Sequence, residues 1–303
     1  MKHIVVHEVG PRDGLQMERL IVPTDTKESW IRRTMASGVD VVQVGSFVHP
    51  LKVPQMADTD ELVRRLRKDK HSPVILAGLV LNERGMERGL ACGVEMFTLG
   101  ASASETHSLK NTGMASMDAT HRIITAGKKA LAAGKKVQVS VQSAFGCGFE
   151  GPVSEERVLE MVAAYLDAGL FNISLADTAG HAHPAQVERL FSAVFKLDPH
   201  VECTGHFHNT YGLGMANIMA ALRVGVTSFE TSFAGLGGCP FTRGAAGNVA
   251  TEDFVNALQL QGLRKDIDLG RLIGVAGDVA EYFEREMPGC VYKNGSIRHE
   301  EAT

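Results

Sequence analysis

Short runs rich in β-branched residues recur along the chain at His3–Val9, Val39–Gly45, Val74–Leu81, Val94–Leu99, Val137–Ser143, Phe171–Asp177, Val201–His208 and Val226–Phe233. Eight strands are predicted. Amphipathic or Ala-rich stretches fall between them, at Asp25–Ser37, Asp58–Lys68, Asp118–Ala133, Glu155–Ala168, Pro184–Lys196 and Ala216–Val224, so the strands must pair in parallel. Several helices close on glycine just before the next strand, at Gly38, Gly93, Gly134, Gly169 and Gly225, which suits a left-handed helix end. With no linker or composition break, the α/β pattern predicts a single closed (β/α)8 barrel. A doubly wound open sheet fits less well, because the turn GPRDGLQ after the first strand lacks G-x-G-x-x-G spacing. Residues 267 to 287 predict an extra C-terminal helix. One domain over 1–290 and a polar tail over 291–303 are therefore expected.

Composition narrows the partners. The chain is 44% hydrophobic and 22% charged with a formal net charge of −4, an ordinary soluble balance without a basic patch for nucleic acid. No apolar run approaches the roughly 20 residues of a membrane span, and no stretch reads as a signal peptide. Five scattered cysteines with no C-x-x-C pair point to a reduced compartment. A cytoplasmic homo-oligomer acting on a small molecule is expected.

A parallel barrel presents its chemistry at the C-terminal ends of its strands. There the sequence places Arg12 and Asp13, Gln43, Ser102 and Ser104, Asp177, His206 and His208, then a glycine-rich loop holding Cys239 and Asn248. His206 and His208 lie two apart on a strand, so their rings share a face. They are either core histidines or half of a metal site. With Asp13 and Asn248 on neighbouring strand ends the set becomes two nitrogens and two oxygens, which suits Mg2+ or Mn2+, with zinc second. Arg12 is either a barrel-mouth ion pair or a fixed donor for an oxygen that gains charge. Cys239 is either a small buried apolar residue or a proton donor carried on a closing loop.

The segments VHEVGPRDGLQ, SFVHPLKVPQM, GHFHNTYGLGMAN and AGLGGCPFTRGAAGNVATED resemble the 3-hydroxy-3-methylglutaryl-CoA lyase family of the DRE-TIM metallolyases. The resemblance implies a TIM barrel, a divalent cation, and cleavage of a 3-hydroxyacyl-CoA to acetyl-CoA and a keto acid such as acetoacetate, a step of leucine breakdown and ketone-body formation. It implies metal ligands at Asp13, His206, His208 and Asn248 and a charge-stabilising arginine at Arg12. It implies further catalytic positions at Cys239, His206, Asp177 and Glu252, and a coenzyme contact at Arg19, with Ser102 and Ser104 expected beside it.

Two departures stand out. The glutamate expected in a V-I-E-x-x-S-F context is Gln43, a neutral amide, so another base such as Asp177 or a metal-bound hydroxide is needed. Asn209 follows the second histidine where the family carries aspartate, and is expected to loosen the orientation of His208. Both leave open a lyase for a different branched 3-hydroxyacyl-CoA, a condensing acyltransferase of the same superfamily, or a non-catalytic relative.

Overall fold

A computed structural model describes residues 3–69, 72–238 and 247–295. Eight strands run β1 (Val5–Glu8), β2 (Val41–Ser46), β3 (Ile75–Leu79), β4 (Met96–Ser102), β5 (Lys136–Gln142), β6 (Asn172–Asp177), β7 (Glu202–Phe207) and β8 (Ser228–Thr231). All pair in parallel in sequence order, and β8 returns to β1 to close the barrel. Each strand lies within a few residues of its predicted run. The largest difference is at the end of β4, which continues past Leu99 to Ser102, and at the end of β8 Phe233 enters a 3-10 turn with Ala234 left-handed at φ 57°.

The helices predicted from amphipathic spacing are present as α1 (Thr24–Met35), α2 (Thr59–Leu66), α5 (Ser116–Ala132), α6 (Glu155–Asp167), α7 (Pro184–Leu197) and α8 (Gly214–Arg223). Gly93 and Gly225 take the left-handed backbone expected of them, at φ 89° and 101°. Helix α3 (Glu83–Cys92) was marked only by its closing Gly93, and α4 (Glu105–Thr112) and α9 (Thr251–Leu260) were not predicted. Glycine obscured α3 in the sequence, since each glycine in a helix costs about 1 kcal/mol against alanine. Packing explains it: a Cβ at Gly89 would stand 2.5 Å from the Phe97 ring, so the helix approaches β4 more closely than any side chain allows.

The C-terminal helix is α10 (Leu269–Tyr282), followed by the short α11 (Val291–Asn294), which lies within the segment expected to be a polar tail. Asp253 holds its start by accepting from the Cys290 and Val291 N–H groups. Helix α10 buries Val275, Ala276 and Val279 against Leu15, Trp30 and Phe233, apart from the main core. Burying side chains of this size stabilises by about 1.5–3 kcal/mol each. Leu15 and Phe233 belong to the segments that follow β1 and β8, so this second core braces the barrel's mouth. Among the described residues no helix is long and apolar enough to cross a membrane.

Candidate active site and metal centre

The segment after β1 winds into a single π-turn, Gly10–Gly14, in which the N–H groups of Arg12, Asp13 and Gly14 all point at the Val9 carbonyl. Such turns are rare and concentrate at functional sites. This one sets two adjacent side chains toward the barrel axis. Arg12 Nη1 donates to Asp13 Oδ1 over 2.5 Å, and Arg12 Nε donates to Gln43 Oε1. Gln43 in turn donates from Nε2 to Thr98 Oγ1 at 2.7 Å, so the guanidinium is fixed from β4 through β2.

Four side chains from distant parts of the chain meet beside this pair. Asp13, His206 and His208, all buried, each offer one ligand atom, and those atoms lie within 4.8 Å of one another. His208 Nε2 stands 3.6 Å and His206 Nε2 4.0 Å from Asp13 Oδ2. Asn248 Nδ2 donates to that same oxygen at 2.8 Å, while its Oδ1 is buried without a hydrogen-bond partner. A buried acceptor left open costs about 1–3 kcal/mol, so the site is built for something that fills it. Two imidazole nitrogens, a carboxylate and an amide oxygen fit a hard divalent cation that also takes water or substrate oxygens.

The electrostatics agree. Burial alone would raise the Asp13 carboxyl, but the Arg12 guanidinium and the two imidazoles outweigh it and hold the group well below the usual carboxylate range. Burial lowers His208 and keeps it an unprotonated donor. His206 is raised, because Glu230 outweighs its burial.

Sequence reasoning missed Glu230 and His7. Glu230 Oε2 faces His206 Nδ1 at 2.8 Å, with the ring turned off the ideal donor angle, and its Oε1 lies 3.6 Å from His7 Nδ1. Burial drives His7 down to about 4, so it is neutral near pH 7. A signal was available: His7 lies in the β1 run and Glu230 in the β8 run, charged or polar residues inside strands that close the barrel.

Several expected site residues lie elsewhere. Asp177 is buried away from the cavity, its two oxygens accepting from the His181 and Ala182 N–H groups at 2.8 and 3.1 Å, so it shapes the loop after β6. Glu252, also buried, accepts from Ala234 N at 3.1 Å and supports the turn after β8. Ser104 caps α4 by accepting from His107 N, and Ser102 accepts from Ser104 N, which leaves both inside the protein. Arg19 is exposed. Asn209 does not touch His208; its Oδ1 accepts from Gly214 N at the start of α8, so the exchange from aspartate leaves that ring's orientation to other groups. Cys239 lies outside the described residues.

A cavity of about 350 Å3 opens above the cluster. Arg12, Asp13, Gln43, His206, His208 and Glu230 form one wall, with Gln138, Ser140 and Gln142 across from them and Leu79, Leu81 and Val48 supplying apolar surface.

A family model described as HMGL-like matches residues 3–279. Hydroxymethylglutaryl-CoA lyase of Bacillus subtilis is 35% identical over 287 residues, covering 95% of this chain and 95% of the relative. The (R)-citramalyl-CoA lyase of Chloroflexus aurantiacus is 35% identical over 305 residues, covering 98% and 96%. The structure of an HMG-CoA lyase from Acinetobacter baumannii with coenzyme A and 3-methylmalate superposes with a TM-score of 0.92 at 37% identity, over 99% of this chain and 98% of that one.

Proposed function

The chain belongs to the HMGL-like family and is a carbon–carbon lyase, and from that premise we propose that it cleaves a 3-hydroxyacyl-CoA to acetyl-CoA and a keto acid in the cytoplasm, using Mg2+ or Mn2+. One observation carries the reading: Asp13, His206, His208 and the open Asn248 Oδ1 converge next to a guanidinium fixed by two acceptors. Asp13, His206, His208 and Asn248 hold the cation. When bound, it supplies a Lewis acid that lowers the pKa of a coordinated hydroxyl.

Loss of the 3-hydroxyl proton lets the C2–C3 bond break, its electron pair passing to C2 as the thioester enolate while C3 becomes the keto carbon. Arg12 stabilises the enolate oxygen. Nε and Nη1 are spent on Gln43 and Asp13, which leaves Nη2 for the ligand. A preset donor of this kind is worth about 3–4 kcal/mol of barrier. His206, with Nε2 toward the cation and Nδ1 toward Glu230, has no proton to spare, so Cys239, in the glycine-rich segment that follows β8, returns one to C2. The proton taken from the hydroxyl passes to water in the open cavity rather than to Asp177, whose carboxylate accepts from two backbone N–H groups away from the cavity.

Gln43 bears on the acyl group. A neutral amide bound to both Arg12 and Thr98 stands where the motif carries a carboxylate, so among these contacts only Asp13 offsets the Arg12 charge, which strengthens its pull on an anionic acyl group. This favours a short dicarboxylic thioester such as citramalyl-CoA beside 3-hydroxy-3-methylglutaryl-CoA. The test is acetyl-CoA release from both thioesters, with and without a chelator. We expect turnover of at least one, lost on chelation and restored by Mn2+ or Mg2+. No release from either, or release indifferent to the chelator, overturns the reading.

A further inference from the structure

The donor cluster rests on a row of three side chains that cross the barrel at one level. Glu230 on β8 is the register partner of His206 on β7 and of His7 on β1. Register partners on parallel strands project to the same face, here the barrel interior. Glu230 is 6% exposed and His7 1%. A buried carboxylate is costly unless it is paired, and the groups that face this one are the two imidazoles, His206 Nδ1 at 2.8 Å from Oε2 and His7 Nδ1 at 3.6 Å from Oε1.

We infer that Glu230, steadied by His7, is a positioning residue that keeps the proton of His206 on Nδ1 and so presents Nε2 as a lone-pair donor to the cation. The inference rests on the metal reading above. A neutral imidazole carries one N–H, and the nitrogen facing a carboxylate is the one that keeps it. Nε2 is then unprotonated on the side of Asp13, 4.0 Å from Oδ2. Both Nδ1 atoms lack ideal hydrogen-bond geometry, but among the described residues only that of His206 faces a carboxylate, at 2.8 Å, and His208 has no such device. The two imidazoles of the cluster are therefore unequal: His206 is set before the cation arrives, and His208 is set by it. His7 Nδ1 packs 3.6 Å from the second carboxylate oxygen and fills the space on that side of the group.

The experiment uses the metal-free full chain labelled with 15N-histidine. Long-range 1H–15N spectra read which ring nitrogen of His206 is protonated, with the signal assigned by His206→Asn, and free Mn2+ is titrated by electron paramagnetic resonance. In the wild type at alkaline pH, where the imidazole is neutral, we expect protonated Nδ1 and bare Nε2. Glu230→Met, similar in volume but with no acceptor, should lose that preference and weaken Mn2+ binding by about tenfold or more, whereas Glu230→Gln, which keeps an acceptor oxygen, should stay within about threefold. A packing role would instead make the Met and Gln variants alike. A proton on Nε2 of the wild type, or Mn2+ bound by Glu230→Met as tightly as by the wild type, overturns the inference. If the Met variant does not fold, the wild-type spectrum decides alone. A wild type that binds no Mn2+ overturns the metal centre itself, an outcome separate from wild-type binding that the Met variant leaves unchanged.

Discussion

Asn248 Nδ2 donates to Asp13 Oδ2 over 2.8 Å, joining residues 235 apart in the chain. The same nitrogen reaches Leu236 O at 3.1 Å, so one amide ties the loop after β8 to the turn after β1. Hydrogen bonds to charged groups contribute about 1.5–3 kcal/mol. Asn248→Ala should lower stability by about 2 kcal/mol, a fall in Tm of several degrees. It should also weaken Mn2+ binding by about tenfold, because Oδ1 leaves the donor set. Differential scanning calorimetry and Mn2+ titration read the two effects. Unchanged Mn2+ affinity would remove Asn248 from the ligands.

Arg12→Lys keeps the charge and loses the fork. Lysine cannot hold Gln43 and Asp13 together while still presenting a donor to substrate. The expected result is a drop in kcat of about 10²–10³ with KM little altered, since the lost contact forms mainly in the transition state. Steady-state kinetics on the preferred thioester check it, and a kcat close to wild type excludes the enolate role.

Gln43→Glu tests the acyl preference. The new carboxylate would meet Arg12 and the Thr98 hydroxyl, which can turn to donate, so the barrel should fold with a similar Tm. The free carboxylate sits on C3 itself in citramalyl-CoA and one methylene further out in 3-hydroxy-3-methylglutaryl-CoA, so with Arg12 neutralised the ratio of kcat/KM for the two thioesters should move by about tenfold toward the latter. An unmoved ratio places specificity elsewhere in the cavity.

The barrel was legible because parallel strands buried on both faces are written as continuous β-branched runs, and helix ends as glycine. Arg12, Asp13, His206, His208 and Asn248 were legible for a related reason: strand ends in a closed barrel converge whatever the loops do. The surroundings of the expected acids were less legible. Acids read from sequence look like chemistry, yet Asp177 and Glu252 are spent on backbone N–H groups left open by loops, which only the three-dimensional path reveals. Glu230 is the converse, an acid in the middle of a short strand whose meaning depends on rings from the strands on either side.

Stability should depend on pH through Glu252. Burial, with backbone bonds offsetting part of it, raises its carboxyl from 4.5 to about 8. The folded state therefore keeps a proton that the unfolded chain releases, so this group's contribution is complete below about 4.5 and is lost as pH rises toward 8. The slope approaches about 1.4 kcal/mol per pH unit between those limits. Glu8, raised to about 7 by burial, acts in the same direction. Glu252→Gln mimics the protonated acid and still accepts from Ala234 N. Its Tm should match the wild type near pH 5 and exceed it increasingly toward pH 8; parallel profiles would mean that the carboxyl does not titrate in this range.

Gly10 and Gly277 make a matched pair. A Cβ at Gly10 would stand 2.6 Å from Glu8 Oε1 and 2.9 Å from the Phe233 ring. Glu8 cannot yield easily, because the same carboxylate accepts from Gly10 N, Phe233 N and Thr251 Oγ1 at 2.6, 2.9 and 2.7 Å. Gly10→Ala must therefore displace the brace between β1, the turn after β8 and the start of α9, at a cost of about 1–3 kcal/mol. Because Arg12 and Asp13 ride on the turn that Gly10 begins, kcat should fall along with Tm. Gly277 lies inside α10 with nothing within 4 Å of its added Cβ. There Gly277→Ala should stabilise by about 0.5–1 kcal/mol through the unfolded chain's lost freedom and leave kcat unchanged. Calorimetry and kinetics on both variants check the contrast, and a Gly10→Ala enzyme with wild-type Tm would show that the Glu8 brace is not rigid.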